Sequence, residues 1–186
     1  MRYAICIALV FAVGVPQVSA QGGHIGLYAD TWGTSCAFEN ASYEILEVQI
    51  VHMDAPETAA GQFMLQSGGG FTGVYLGEEL SPGVAGGMGN SRTGISIAYG
   101  DCYASPLHIM TVRYIITKPS PKGSYLKIVP DPNAVPEPGI WVVDCSFSEL
   151  LPASGGILIV NEAGAFCCAS TPVVARSWGA IKVLYE

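Results

Sequence analysis

GISIAY (residues 94–99), followed within ten residues by LHIMTVRYIIT (107–117), decides the fold. In the first run Ile95, Ile97 and Tyr99 alternate with Ser96 and Ala98. Successive side chains of a strand point to opposite faces, so this period of two reads as a half-buried β-strand. The second run is long and rich in β-branched residues, the composition that suits a pleated, packed surface.

Working outward, the same signal recurs along the chain. Runs at 24–29, 43–53, 62–66, 71–76, 125–129, 140–144 and 156–160 are apolar or alternating, and Gly, Pro, Asn and Ser cut them apart. In the 43–53 run, Val48, Ile50 and His52 share one face, with Glu47, Gln49 and Val51 on the other. About nine strands at roughly even spacing, with almost no helical periodicity, predict an all-β antiparallel β-sandwich of jelly-roll or immunoglobulin-like type. The Pro-rich segments KPSPKG (118–123) and PDPNAVPEPG (130–139) read as loops or edges, because proline cannot donate to a ladder. The Gly-rich stretch 80–93 reads as a long loop.

The N-terminus sets the expected compartment. Met1-Arg2 is followed by an apolar run from Ala4 to Val15 and then by Val18-Ser19-Ala20. This is the pattern of a secretory signal peptide, too short for a membrane span. The expected organisation is a signal peptide over 1–20 and a single sandwich domain over 21–186, with a distinct C-terminal segment at 177–186. The expected localisation is secreted: extracellular, periplasmic or cell-surface. Without Arg2, the remaining 7 basic and 15 acidic residues give a mature net charge of −8. That balance, with no basic cluster, argues against nucleic acid as a partner. Only 12% of residues are charged and 50% are hydrophobic, which fits a packed domain with few ion pairs.

The segment predicted to remain after cleavage holds five cysteines: Cys36, Cys102, Cys145, Cys167 and Cys168. In an oxidising compartment most should be bridged, and an odd number leaves one thiol free or intermolecular. Adjacent cysteines rarely bridge each other, so Cys167 and Cys168 are each expected to reach a separate partner among Cys36, Cys102 and Cys145. The sequence lacks the Cys and His spacing of a zinc site, and no metal or other cofactor is expected.

No catalytic motif stands out. There is no Gly-x-Ser-x-Gly, no His-Glu-x-x-His and no phosphate-binding glycine loop, and Gly89 to Gly94 reads as a turn. His24, His52 and His108 read as core residues, and His52 and His108 could approach each other if both point inward. Asn40-Ala41-Ser42 is a glycosylation sequon. Tyr28, Trp32 and Trp141 are candidate ligand-contact aromatics, since carbohydrate would stack on exposed rings. Trp178, Ile181, Leu184 and Tyr185 fit one face of a short helix or a final strand. They form a candidate partner-binding tail.

The block from Glu47 to Thr117 resembles the bacterial cohesin modules. The residues that carry the likeness are Val48-Gln49-Ile50-Val51, Gly61-Gln62-Phe63-Met64-Leu65, Thr93 to Tyr99 and Leu107 to Tyr114. The resemblance implies a nine-stranded jelly-roll that binds a partner module and does no catalysis. The whole expected mature chain is also similar to secreted proteins of environmental bacteria, through Gly26 to Asp30, Val142 to Cys145 and Trp178 to Tyr185. The expected role is therefore non-catalytic: protein recognition or structure at the cell surface. A carbohydrate-binding module with a polysaccharide partner is the alternative, and a secreted hydrolase the third reading.

Overall fold

The computed structural model describes residues 22–35, 38, 42–147 and 149–161. The leader at 1–20, Cys36, Cys167, Cys168, the sequon Asn40 and the tail residues Trp178, Ile181, Leu184 and Tyr185 lie outside the described residues.

The described chain is all-β, with twelve strands: β1 His24–Tyr28, β2 Ile45–Met53, β3 Thr58–Gly68, β4 Gly73–Leu80, β5 Gly86–Asn90 and β6 Gly94–Tyr103, then β7 Leu107–Ile116, β8 Ser124–Val129, β9 Trp141–Asp144, β10 Leu150–Pro152, β11 Ser154–Gly155 and β12 Ile157–Val160. They form two sheets. The first runs β11-β1-β2-β7-β4, and the second β10-β9-β3-β6-β5. Eleven-residue β3 carries β9 along its first half and β8 along its second, and β12 pairs with β8. All pairings between named strands are antiparallel except β1 with β11.

The core lies between the sheets. Ile25, Leu27, Val48, Ile50 and Val112 from the first meet Phe63, Ile95, Ile97, Tyr99 and Val142 from the second, all essentially inaccessible to water. Alternation explains this choice: 95, 97 and 99 face in, and Ser96 and Ala98 face out. Residues 154–160 close one side of the sandwich, since β11 pairs with β1 and β12 with β8. The opposite side, between β4 and the end of β3, stays open.

The nine expected strands are all present, and the nine-strand reading missed three. Residues 80–93, read as a loop, contain β5, and β10 and β11 lie in 150–155. β5 is GGMGN, with no β-branched residue to mark it; its ladder to β6 makes it a strand. The alternation also misplaced His108. The register of β7 against β2 slips between Ile50 and Val51, which pair with Met110 and His108. Ile109 is the extra residue of a bulge, and it turns His108 off the inward face. His52 and His108 therefore do not meet.

Candidate binding face

The outer face of the second sheet is built from two adjacent cross-strand rows. One row is Gly86, Ala98, Ala60, Val143 and Leu150; the other is Met88, Ser96, Gln62 and Trp141. Small side chains at 60, 86, 87 and 98 set a low floor between taller Met88 on one side and Trp141 and Leu150 on the other. The result is an open trough of about 360 Å³. Met88 is 78% exposed at its rim. Gln62 at one end donates through Nε2 to Asp131 (2.9 Å), a carboxylate that also accepts from Asn133 N–H (2.8 Å). Trp141 is fixed in orientation because its indole N–H donates to the Glu137 carbonyl at 2.9 Å.

The two outer faces differ in chemistry. On the first sheet Arg113 sits between Glu47 (2.8 Å) and Glu79 (2.9 Å), and Thr111 donates to Gln49 at 2.6 Å. Arg113, Glu47 and Glu79 are the groups of a solvated sheet face, whereas Gln49 is buried, and Ile45, Val74 and Leu76 are exposed at one end of the sheet. The trough carries no charged side chain. An outward sheet face that is Ala, Gly, Met, Val, Leu and Trp apart from Gln62 and Ser96 departs from the polar-out alternation of an antiparallel sheet facing water.

The predicted aromatics do not gather. Tyr28, expected as a surface ring, is buried, 3% exposed. β2 and β11 flank β1 on both sides, and the missing side chain of Gly26 leaves the space its ring fills, where a Cβ would lie 2.4 Å from the Tyr28 ring. Trp32 is 71% exposed at the tip of the turn after β1. Asp30 holds that turn by accepting from Trp32 N–H (2.8 Å), Thr34 N–H and hydroxyl, and Ser35 N–H (2.6 Å). Desolvation, the largest single influence, raises the Asp30 carboxyl, and these bonds, led by those of Thr34, together outweigh it, so its pKa falls below the usual value. Trp141 alone of the three lines the trough, so no row of rings forms among the described residues.

The cysteines depart from the expected pairing. Cys102 at the end of β6 bonds Cys145 just past β9, with Cα atoms 5.6 Å apart. Two of the three cysteines reserved for Cys167 and Cys168 are thus bonded to each other. The disulfide clamps the two neighbours of β3 beside the trough. Sequence reasoning could not pick this pair among the open connectivities.

The histidines fill structural roles. His52 is 1% exposed, and its Nε2–H donates to the Gly22 carbonyl at 2.7 Å. Its Nδ1 faces the Thr58 and Tyr99 hydroxyls, both at 3.4 Å. His24 bonds Ser154 Oγ through Nδ1 at 3.0 Å, and its buried Nε2 has no partner among the described residues. Burial pushes the pKa of both imidazoles down. His108 Nδ1 is hydrogen-bonded to Ser81 Oγ at 2.7 Å on the outer side of β7. No group of three His, Cys, Asp or Glu side chains converges as a metal site among the described residues. No described helix is long and apolar enough to cross a membrane.

No protein-family model matches this sequence, and no curated protein is significantly similar to it. Solved structures are similar in fold. The cohesin module of a family 33 glycoside hydrolase from Clostridium perfringens superposes with a TM-score of 0.52 at 9% identity, covering 76% of this chain and 98% of that module. The sixth cohesin of scaffoldin B from Acetivibrio cellulolyticus, solved in complex with a Cel5 dockerin, gives 0.49 at 11% identity, covering 75% and 98%. At such identities the likeness speaks to fold, and the Clostridium perfringens module carries it: the chain is an all-β sandwich with the jelly-roll fold of the cohesin modules.

Proposed function

We propose that this protein is a secreted, non-catalytic recognition module that docks a protein partner on the outer face of β10-β9-β3-β6-β5. The observation that carries this reading is the uncharged trough formed by Ala60, Ala98, Met88, Val143, Leu150 and Trp141. An apolar depression framed by a Trp and a mobile-chained Met is the chemistry of a hot-spot pocket, which takes a protruding apolar anchor and sheds ordered water. The strands beneath it are held by the core, by the Gln62–Asp131 bond and by the Cys102–Cys145 bridge, so little conformational entropy is lost on binding. The cohesin-like fold is consistent with a binding role. So is the leader-like N-terminus, which would deliver the module outside the cytoplasm, where the bridge persists.

The test places a photo-crosslinking side chain at Met88 of the secreted protein, in the medium of its own producing cells. One protein adduct is expected at position 88. It should be lost when Ala98→Arg fills the trough and retained when Thr111→Arg alters the other sheet. Equal adducts in all three proteins, or none at position 88, would refute the docking face.

A further inference from the structure

The open side of the sandwich holds a second cleft, of about 400 Å³, between the start of β4 and the second half of β3. Its lining differs in kind from the trough, for it includes Gln66, Ser67, Tyr75, Arg92 and Tyr114.

Arg92 is the central group. Its backbone is fixed, because Arg92 N–H and Thr93 N–H both donate to Asn90 Oδ1 at 3.1 Å. Its guanidinium lies 5.2 Å from the centre of the Tyr75 ring. Arg113 has two carboxylate partners, whereas Arg92 has none within ion-pair distance among the described residues. Glu78, two pairing positions from Tyr75 on β4, accepts from Ser91 N–H (3.1 Å) and Ser91 Oγ (2.5 Å), and after burial its negative charge is a further cause that pushes the Tyr75 and Tyr114 hydroxyls up.

The wall opposite supplies further donors. Leu65 N–H turns toward the Ser91 carbonyl (2.6 Å). By strand alternation Ser67, two residues on, turns its N–H and C=O to the same side. β6 has ended by then, its last ladder pair with β3 being Phe63 with Ile95, so among the described residues no strand covers that edge. The Tyr114 hydroxyl also has no hydrogen-bond partner among the described residues, although its ring is packed edge-on against Phe71 and Tyr75.

We propose that this cleft binds a small hydroxylated organic acid, of the class of the sugar acids. The planar guanidinium takes the carboxylate in a two-pronged bond. The Ser67 N–H and hydroxyl, the Gln66 amide and the Tyr114 hydroxyl meet the ligand's hydroxyl groups. The volume lies in the range of pockets that hold one small ligand. The site is separate from the trough and does not depend on the docking role.

Titration of the secreted protein with sodium glucuronate, followed by amide chemical shifts, tests the assignment. Saturable binding in the millimolar range is expected, with glucose at least tenfold weaker. Arg92→Gln should weaken glucuronate at least tenfold with an unchanged melting temperature, and Arg92→Lys should weaken it less. Ala98→Arg in the trough should leave it untouched, which separates this site from the docking face. Failure of glucuronate to saturate, equal binding of glucose, or full binding by Arg92→Gln would overturn the site. Tighter binding of N-acetylglutamate amide than of glucuronate would overturn the ligand class.

Discussion

His24 shows how a single side chain ties the pH response of this protein to its fold. Ser154 Oγ lies 3.3 Å from the Gly23 carbonyl and donates to it, so the His24 Nδ1–H donates to Ser154 and leaves Nε2 as a bare acceptor. A proton placed there would sit in a closed space against the backbone of Gly26 and Gly156. Burial lowers the pKa of His24 against a smaller opposing pull from Asp54; burial likewise lowers that of His52, opposed by the Gly22 bond and aided by His24. The folded pKa values lie below the unfolded value of about 6.5, so the unfolded chain binds more protons. The stability these residues contribute is complete above about pH 6.5 and is lost as pH falls below it, by up to ~1.4 kcal/mol per pH unit for each imidazole. Urea midpoints at pH 7.5 and 5.5 should therefore differ, and His24→Gln should flatten the difference; an identical slope in the variant would count against this account. At Gly94 the constraint is steric. Its φ is +113°, and a Cβ there would lie 2.3 Å from Asp131 Oδ1, the carboxylate that holds Gln62. Gly94→Ala should cost about 1–3 kcal/mol by denaturant melting, from backbone strain and loss of that carboxylate's position.

At the level of strands, period-two alternation is enough to place β2, β6 and β7 and, in β6, the buried face of Ile95, Ile97 and Tyr99, because one-sided burial makes pattern and register the same thing. It failed where the chain departs from strict pairing. The bulge at Ile109 reverses the phase of β7 and moves His108 outward, and nothing local in LHIMTV announces it. β5 is a strand by tertiary context alone, since glycines carry no alternation. The trough was invisible for a related reason: Ala60, Met88, Ala98 and Val143 are unremarkable singly and become a face only through the cross-strand registers. Of the candidate aromatics, Trp141 lines that face, whereas a glycine two residues from Tyr28 lets that ring bury. β4 and the β5–β6 turn are joined across the open side by Glu78 and Ser91, whose N–H is fully buried. Glu78→Ala removes the acceptor of a buried donor, an effect of about 1–3 kcal/mol. Hydrogen exchange should then quicken through β5 and the turn while β1 and β2 keep their protection. Loss of protection throughout would mean that the link is not local.

For the molecule as a whole, the sandwich is held mainly by non-local pairing. β2 with β7, and β3 with β6 and β9, join segments far apart in sequence. Folding must therefore close long loops before contacts reward it, which places such topologies among slow folders. The Cys102–Cys145 bridge acts on this cost directly. It spans 43 residues and joins the strands on either side of β3, so it removes loop-closure entropy from the unfolded chain. The chain-entropy relation gives about 4 kcal/mol for a loop of that length. A domain of this size is stable by roughly 5–15 kcal/mol, so the bridge is a large share of the whole. The double variant Cys102→Ala/Cys145→Ala should unfold at markedly lower urea with a larger m-value, because the unlinked denatured chain exposes more surface. Reduction of the wild-type protein should move its midpoint toward that of the variant. A midpoint unchanged in the variant would mean that the packed core alone sets stability and that the bridge serves only to hold the floor of the trough.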